Sequence, residues 1–226
     1  MSRLLALDTA TEACSAALLD GARLEERFEL APREHARLLL PMVASLLDGA
    51  GLALADLDAV AFGRGPGSFT GVRIAAGMAQ GLAFAAGLPV VPVSSLAALA
   101  QQAADAGHAR VLAAIDARMG EVYWGAFVAG DDGLVVPAGE ERVCPPDAVP
   151  APDGSGWFGA GSGWATYAEV LQKRLGAALA ASDGSHFPHA GAVARLAAPR
   201  LAAGGALPAD QALPVYLRDR VAQKAR

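Results

Sequence analysis

The start of the chain reads as three strands. "RLLALDTAT", "CSAALLD" and "RLEERFEL" are short apolar or alternating runs divided by tight turns. "HARLLLPMVASLLDGAG" changes the period, because Leu38, Leu39, Met42, Val43, Leu46 and Leu47 recur on one helical face. Pro41 falls inside that helix, which is expected to kink or restart there, and Gly49 and Gly51 suit its end. "DAVAFG" predicts a fourth strand, a second helix runs to about Ala86, "PVVPV" predicts a fifth strand, and a third helix follows. Three strands followed by alternating helices and strands imply a mixed sheet with helices packed on it.

The opening pattern then returns. "LLALDTATEACSAALLDG" at Leu4–Gly21 can be laid over "VLAAIDARMGEVYWGAFVAG" at Val111–Gly130, with Asp8 falling on Asp116. Each aspartate ends an apolar strand and precedes another strand. The echo predicts two related α/β lobes, residues 1–106 and 107–226, split near Asp105–Ala109. The second lobe looks reduced. "CPPDAVPAPDGSGWFGAGSGW" is Pro/Gly-rich, with at most one short strand around Trp157, and helices are expected near Thr166–Leu175 and Ala190–Ala203.

Composition narrows the function classes. The 226 residues are 54% hydrophobic with a formal net charge of −5, and Lys173 and Lys224 are the only lysines. Such a chain is a poor stand-alone nucleic-acid binder, since phosphate contacts need clustered cations. Cys14 and Cys144 are too few for a disulfide framework and suit a reducing cytosol. Asp8 and Glu12 interrupt the N-terminal apolar stretch before a signal core forms, so a cytoplasmic location is expected. The uncharged run Ile74–Ala104 is broken by Pro89, Pro92 and several Gln and Ser residues, which fits helix, buried strand and helix better than a membrane span.

One segment looks like a phosphate loop, "GRGPGSFTGVRIA" at Gly63–Ala75. It lacks the lysine of a P-loop, has Thr70 where a dinucleotide fingerprint needs its third glycine, and sets Gly67 directly before Ser68, unlike a nucleophile elbow. What remains is local: Ser68 can cap a helix beginning near Phe69. An anion could sit at that helix start, but the pattern does not require it. Within the helix, Gly77 and Gly81 lie four residues apart and make a shallow groove, either for a neighbouring helix or for the chain's own sheet. His186 and His189 are spaced as metal ligands can be, but they flank Pro188 in a loop.

"LLALDTATEACSAAL", "DAVAFGRGPGSFTGVRIAAGMAQGLA", "AIDARMGEVYWGAF" and the closing "PVYLRDRVA" resemble the TsaB (YeaZ) family. The resemblance runs from the N-terminus to about Phe127 and returns at the tail. It implies the actin/Hsp70/sugar-kinase (ASKHA) fold of two ribonuclease-H-like lobes. It also implies a non-catalytic subunit that pairs with TsaD, joined by TsaE, in making N6-threonylcarbamoyladenosine on tRNAs that read codons starting with A. Alone, such a subunit is expected to form a homodimer and to meet tRNA only through the complex. The implied partner surface lies on the N-terminal helices and is drawn here from His35, Leu39, Met42, Val43, Arg73, Gly77 and Gly81.

In the family's catalytic sister subunit, two histidines one helical turn apart hold a metal; here His35 has Leu39 as its i+4 neighbour, so no metal of its own is expected. The superfamily's phosphate hairpins set Gly beside Asp, whereas these read "DTAT" and "DARM". Asp8 is therefore either a strand-end turn former, the favoured reading, or with Ser68 a contact for a nucleotide or anion. ATP or ADP with Mg²⁺ is expected, if anywhere, at the shared complex interface. The rival readings are an autonomous ASKHA-type ATPase and a glycoprotease-like peptidase.

Overall fold

A computed structural model describes residues 2–218, so residues 219–222 of the closing block, and Lys224 beyond it, lie outside the described residues. The first sheet is built from β1 (Arg3–Asp8), β2 (Ala13–Asp20), β3 (Arg23–Leu30), β4 (Ala59–Gly63) and β5 (Val90–Val93), in the order β3-β2-β1-β4-β5. The first three form an antiparallel meander, and β4 and β5 run parallel to β1. Strands β1 and β4 are covered on both faces, which is why they read as unbroken apolar runs. The charged, alternating β3 lies at the edge.

Helices α1 (His35–Ala50) and α2 (Phe69–Ala86) cover one face of this sheet. α1 is continuous through Pro41 and does not restart there. Pro41 and Arg37, whose carbonyl loses its helical donor there, both lie on the exposed side, where water can replace the bond.

The second sheet repeats the plan. β6 (Arg110–Arg118) and β7 (Glu121–Ala129) form the hairpin that echoes β1 and β2, and β10 (Trp157–Ala160) and β11 (Leu179–Asp183) add in parallel as β4 and β5 do. β8 (Val135–Pro137) and β9 (Arg142–Cys144) both pair with the outer side of β7. The chain therefore has the ASKHA-type fold, two mixed sheets flanked by helices. Within the Pro/Gly-rich stretch β10 stands at Trp157–Ala160, where one short strand was expected, while β8, β9 and β11 flank that stretch and were not anticipated. They are short, edge-proximal and partly exposed, so no hydrophobic periodicity marks them.

Helices α3 (Ser95–Asp105) and α5 (Ala190–Ala202) fill the space between the sheets. Leu96 and Leu99 of α3 and Val193 and Leu196 of α5 share one core with Phe127 and Val111 of the second sheet. Helix α4 (Ser162–Leu175) covers the far face, where Trp124 and Trp164 pack at 6.0 Å between ring centroids. The division at residue 106 separates the two sheets but not the two bodies. α5 packs on β1, β2, β4 and β5, Leu207 bridges Val90, and Val215 donates to the Arg64 carbonyl, so the segment after α5 returns to the first lobe. The apolar face of α5 needs a second covered surface, and the first sheet supplies it. No helix among the described residues is long and apolar enough to cross a membrane.

Candidate functional site

The Gly-rich loop connects β4 to α2 and lies against the β1–β2 turn. Ser68 caps α2 by accepting from Gly71 N at 3.1 Å, and its own N–H donates to the Ala10 carbonyl at 2.7 Å. Thr9 Oγ1 donates to the Gly71 carbonyl at 2.7 Å. A Cβ at Gly67 would stand 2.3 Å from the Ala10 oxygen, and one at Gly63 would stand 1.8 Å from Asp8 Oδ2. Close backbone approach thus explains the spacing of the glycines in the loop.

Asp8 ends β1 beneath this loop. It is 1% exposed, its Oδ1 accepts from Ala10 N and its Oδ2 from Ser95 Oγ, both at 2.9 Å. Burial pushes its carboxyl up to about 6 against the pull of those two hydrogen bonds. Asp8 is not among the residues that line the adjacent cavity. It is a turn former sealed under Gly63. Ser68 does line the cavity.

That cavity, of about 850 Å³, opens between the lobes. Its floor is the β1–β2 turn and the first turn of α2; its far wall is the β6–β7 turn; the tail at Tyr216 and Arg218 closes one side. Arg33, Arg73, Arg118 and Arg218 all line it. Arg118 bridges the lobes, reaching Glu12 at 3.1 Å and Asp116 at 3.0 Å. Arg218 donates to the Ala117 carbonyl at 3.1 Å and pairs with Glu121. Arg73 lies 3.3 Å from the centroid of the Phe69 ring and 4.7 Å from that of Tyr216. The cavity wall is cationic and aromatic around a helix start, a setting that suits an anion. Of the lining residues sequence reasoning singled out His35, Ser68, Arg73 and Asp116, but not Arg33, Arg118 or Arg218, because the arginines come from four separate segments.

The histidines have local partners. His35 Nε2 lies 2.9 Å from the Thr11 carbonyl, His189 Nδ1 lies 3.0 Å from Glu26 Oε2, and His186 Nε2 lies 3.5 Å from Asp183. Among the described residues, no three His, Cys, Asp or Glu side chains gather as metal ligands.

The expected partner surface divides in two. Leu39 and Val43 are packed inside the lobe's own core and His35 is buried against the β1–β2 turn, so these three do not present themselves to another chain. Met42 is half-buried against the same core. They belong to the inner face because the apolar period of α1 marks the face that meets the sheet. The outer face of α1 instead shows Ala36, Leu40 and Ala44, an i, i+4 stripe legible in the sequence but overshadowed by the larger residues. On α2, Gly77 and Gly81 are exposed, and a Cβ at either meets nothing within 4 Å. Arg73 and Phe84, the latter 80% exposed, flank them.

A family model described as "TsaD: tRNA N6-adenosine threonylcarbamoyltransferase" matches residues 29–226. The chain is 46% identical over 227 residues to the tRNA threonylcarbamoyladenosine biosynthesis protein TsaB of Escherichia coli, covering 98% of this chain and 97% of that one. The Haemophilus influenzae protein of the same name is 44% identical over 231 residues, covering 98% and 95%. The solved structure of YeaZ from Pseudomonas aeruginosa superposes with a TM-score of 0.90 at 55% identity, covering 96% of this chain and 100% of that one. The β1–β2 turn with its Gly-rich loop, the repeated sheet plan and this near full-length similarity agree: the chain belongs to the TsaB (YeaZ) family of tRNA threonylcarbamoyladenosine biosynthesis proteins.

Proposed function

We propose that the chain is a non-catalytic, cytoplasmic subunit that pairs with TsaD, with TsaE joining, to activate N6-threonylcarbamoyladenosine formation on tRNA. The observation that carries this reading is the open face of α2. A Cβ at Gly77 or Gly81 would meet nothing within 4 Å, although an exposed glycine inside a helix costs roughly 1 kcal/mol relative to alanine. A neighbouring helix seated in that groove, on TsaD or on a second copy when the chain is alone, supplies the close approach that only glycine permits. Leu40 and Phe84 add apolar area to the same side.

Two further features favour a helper over a catalyst. The Asp8 carboxyl, which would position Mg²⁺ in a superfamily ATPase, is sealed beneath Gly63 and bonded on both oxygens. Glu12 and Asp116 line the cavity but are occupied by Arg118, so this chain's residues do not fit a Mg²⁺ ion. The arginine-lined cavity does fit the anionic end of ATP or ADP, and a nucleotide there would be held jointly with the partner. The Cys14 thiol, which burial pushes up to about 11, stays protonated and is a poor nucleophile for the peptidase reading.

The test is tRNA modification by purified TsaD and TsaE with and without this chain. Strong dependence on the chain, with no phosphate release by the chain alone, is the expected result. Steady ATP turnover by the isolated chain overturns it.

A further inference from the structure

Strand β3 is an edge whose outer side pairs with no other strand among the described residues. Edges of this length are usually defended by charged side chains, bulges or covering elements. β3 carries charges of both signs in a self-complementary order. About Glu26, its residues "RLEERFE" are arranged so that reversal exchanges opposite charges and matches apolar with apolar: Arg23 with Glu29, Leu24 with Phe28, and Glu25 with Arg27.

We propose that β3 pairs antiparallel with β3 of a second copy about a two-fold axis at Glu26, joining the two first sheets edge to edge. In an antiparallel pair centred on one residue, positions equally distant from the centre stand directly opposite on the same face. Each two-fold pairing therefore makes every opposite-charge contact twice, as an isologous interface requires. Leu24 and Phe28, 39% and 37% exposed, gain a cross-strand partner on the other face.

The residue on the axis is the one place where like charges would meet, and there the fold has drawn the carboxylate aside. Glu26 Oε1 accepts from Gly191 N at 2.8 Å, and Oε2 lies 3.0 Å from His189 Nδ1. Both partners belong to the start of α5, whose N-terminal dipole favours the charge. His189 in turn stacks on Phe28 at 4.1 Å, which holds the apolar pair in place. The pairing edge lies at the opposite margin of the sheet from β4 and β5, the strands that α2 neighbours.

The test is sedimentation velocity on the full chain over a concentration series, in a Gly77→Leu background that removes association through α2. Glu25→Arg and Arg27→Glu each place like charges opposite each other twice, while the double variant restores complementarity with the signs exchanged. Dimerisation is expected in the parent and the double variant, with the dissociation constant raised roughly tenfold in each single variant. β3 amides should gain hydrogen-exchange protection as concentration rises, and thermal melts verify that the single variants fold. A chain that stays monomeric throughout, a dimer indifferent to both single variants, or a double variant that fails to recover overturns the proposal.

Discussion

Gly71 presses on Thr9: a Cβ at Gly71 would stand 2.0 Å from the Thr9 carbonyl oxygen, while the Thr9 hydroxyl donates to the Gly71 carbonyl at 2.7 Å. The Thr9 carbonyl is backbone and Ser68 Oγ, 2.5 Å from that Cβ, is held as the helix cap, so neither moves aside freely. Gly71→Ala should therefore cost about 1–3 kcal/mol of stability through overpacking. The same substitution at Gly77, which faces open space, should recover up to roughly 1 kcal/mol of helix propensity. Chemical denaturation of the two alanine variants reads the contrast, and equal effects would refute the assignment of inner and outer faces.

Gly77→Leu should separate association from folding. The isolated monomer is expected to melt at or slightly above the parent temperature, because the added side chain meets nothing within the chain. TsaD binding, followed by calorimetry, should weaken at least tenfold if the groove must admit a helix. Unchanged binding would place the partner surface elsewhere.

Asp8 makes stability depend on pH. Its folded value of about 6 stands above the ordinary carboxyl value of 3.8, so between these limits the folded chain takes up a proton that the unfolded chain does not. Its contribution to stability accordingly grows as pH falls from above 6 to below 4, and above 6 the fold carries the cost of a buried charge. Asp8→Asn can still accept from Ala10 N and offers its amide to Ser95 Oγ without charge. The variant's advantage in melting temperature over the parent should be largest near pH 7 and shrink towards pH 4. A difference that does not vary with pH would contradict the burial argument.

The two thiols should differ in reactivity. Cys14 is fully buried with its thiol pushed up to about 11, whereas Cys144 is half-buried and raised more modestly by burial. With an aromatic disulfide reagent in native buffer, Cys144 is expected to react first and Cys14 only on unfolding. Equal rates in the Cys144→Ser variant and the parent would show otherwise.

Local chemistry was legible in the chain itself. The periods of two and of three to four residues placed β2–β5, α1, α2 and α5 near their ends, α3 was foreseen without bounds, Ser68 was identifiable as a helix cap, and the hairpin echo marked by Asp8 and Asp116 located both sheets. These features depend on neighbours in sequence, so sequence determines them. Tertiary structure decided which side each pattern faces. Leu39 and Val43 form an apolar stripe that equally fits a partner or a sheet, and the sheet took it; Gly77 and Gly81 form a stripe that equally fits a sheet or a partner, and solvent has it. The four cavity arginines converge only because the β6–β7 turn and the tail fold back over α2. α5, written after the second sheet, packs on the first because its apolar face is completed there. A residue's period reports that it has a buried side; only the packed chain supplies the surface that buries it.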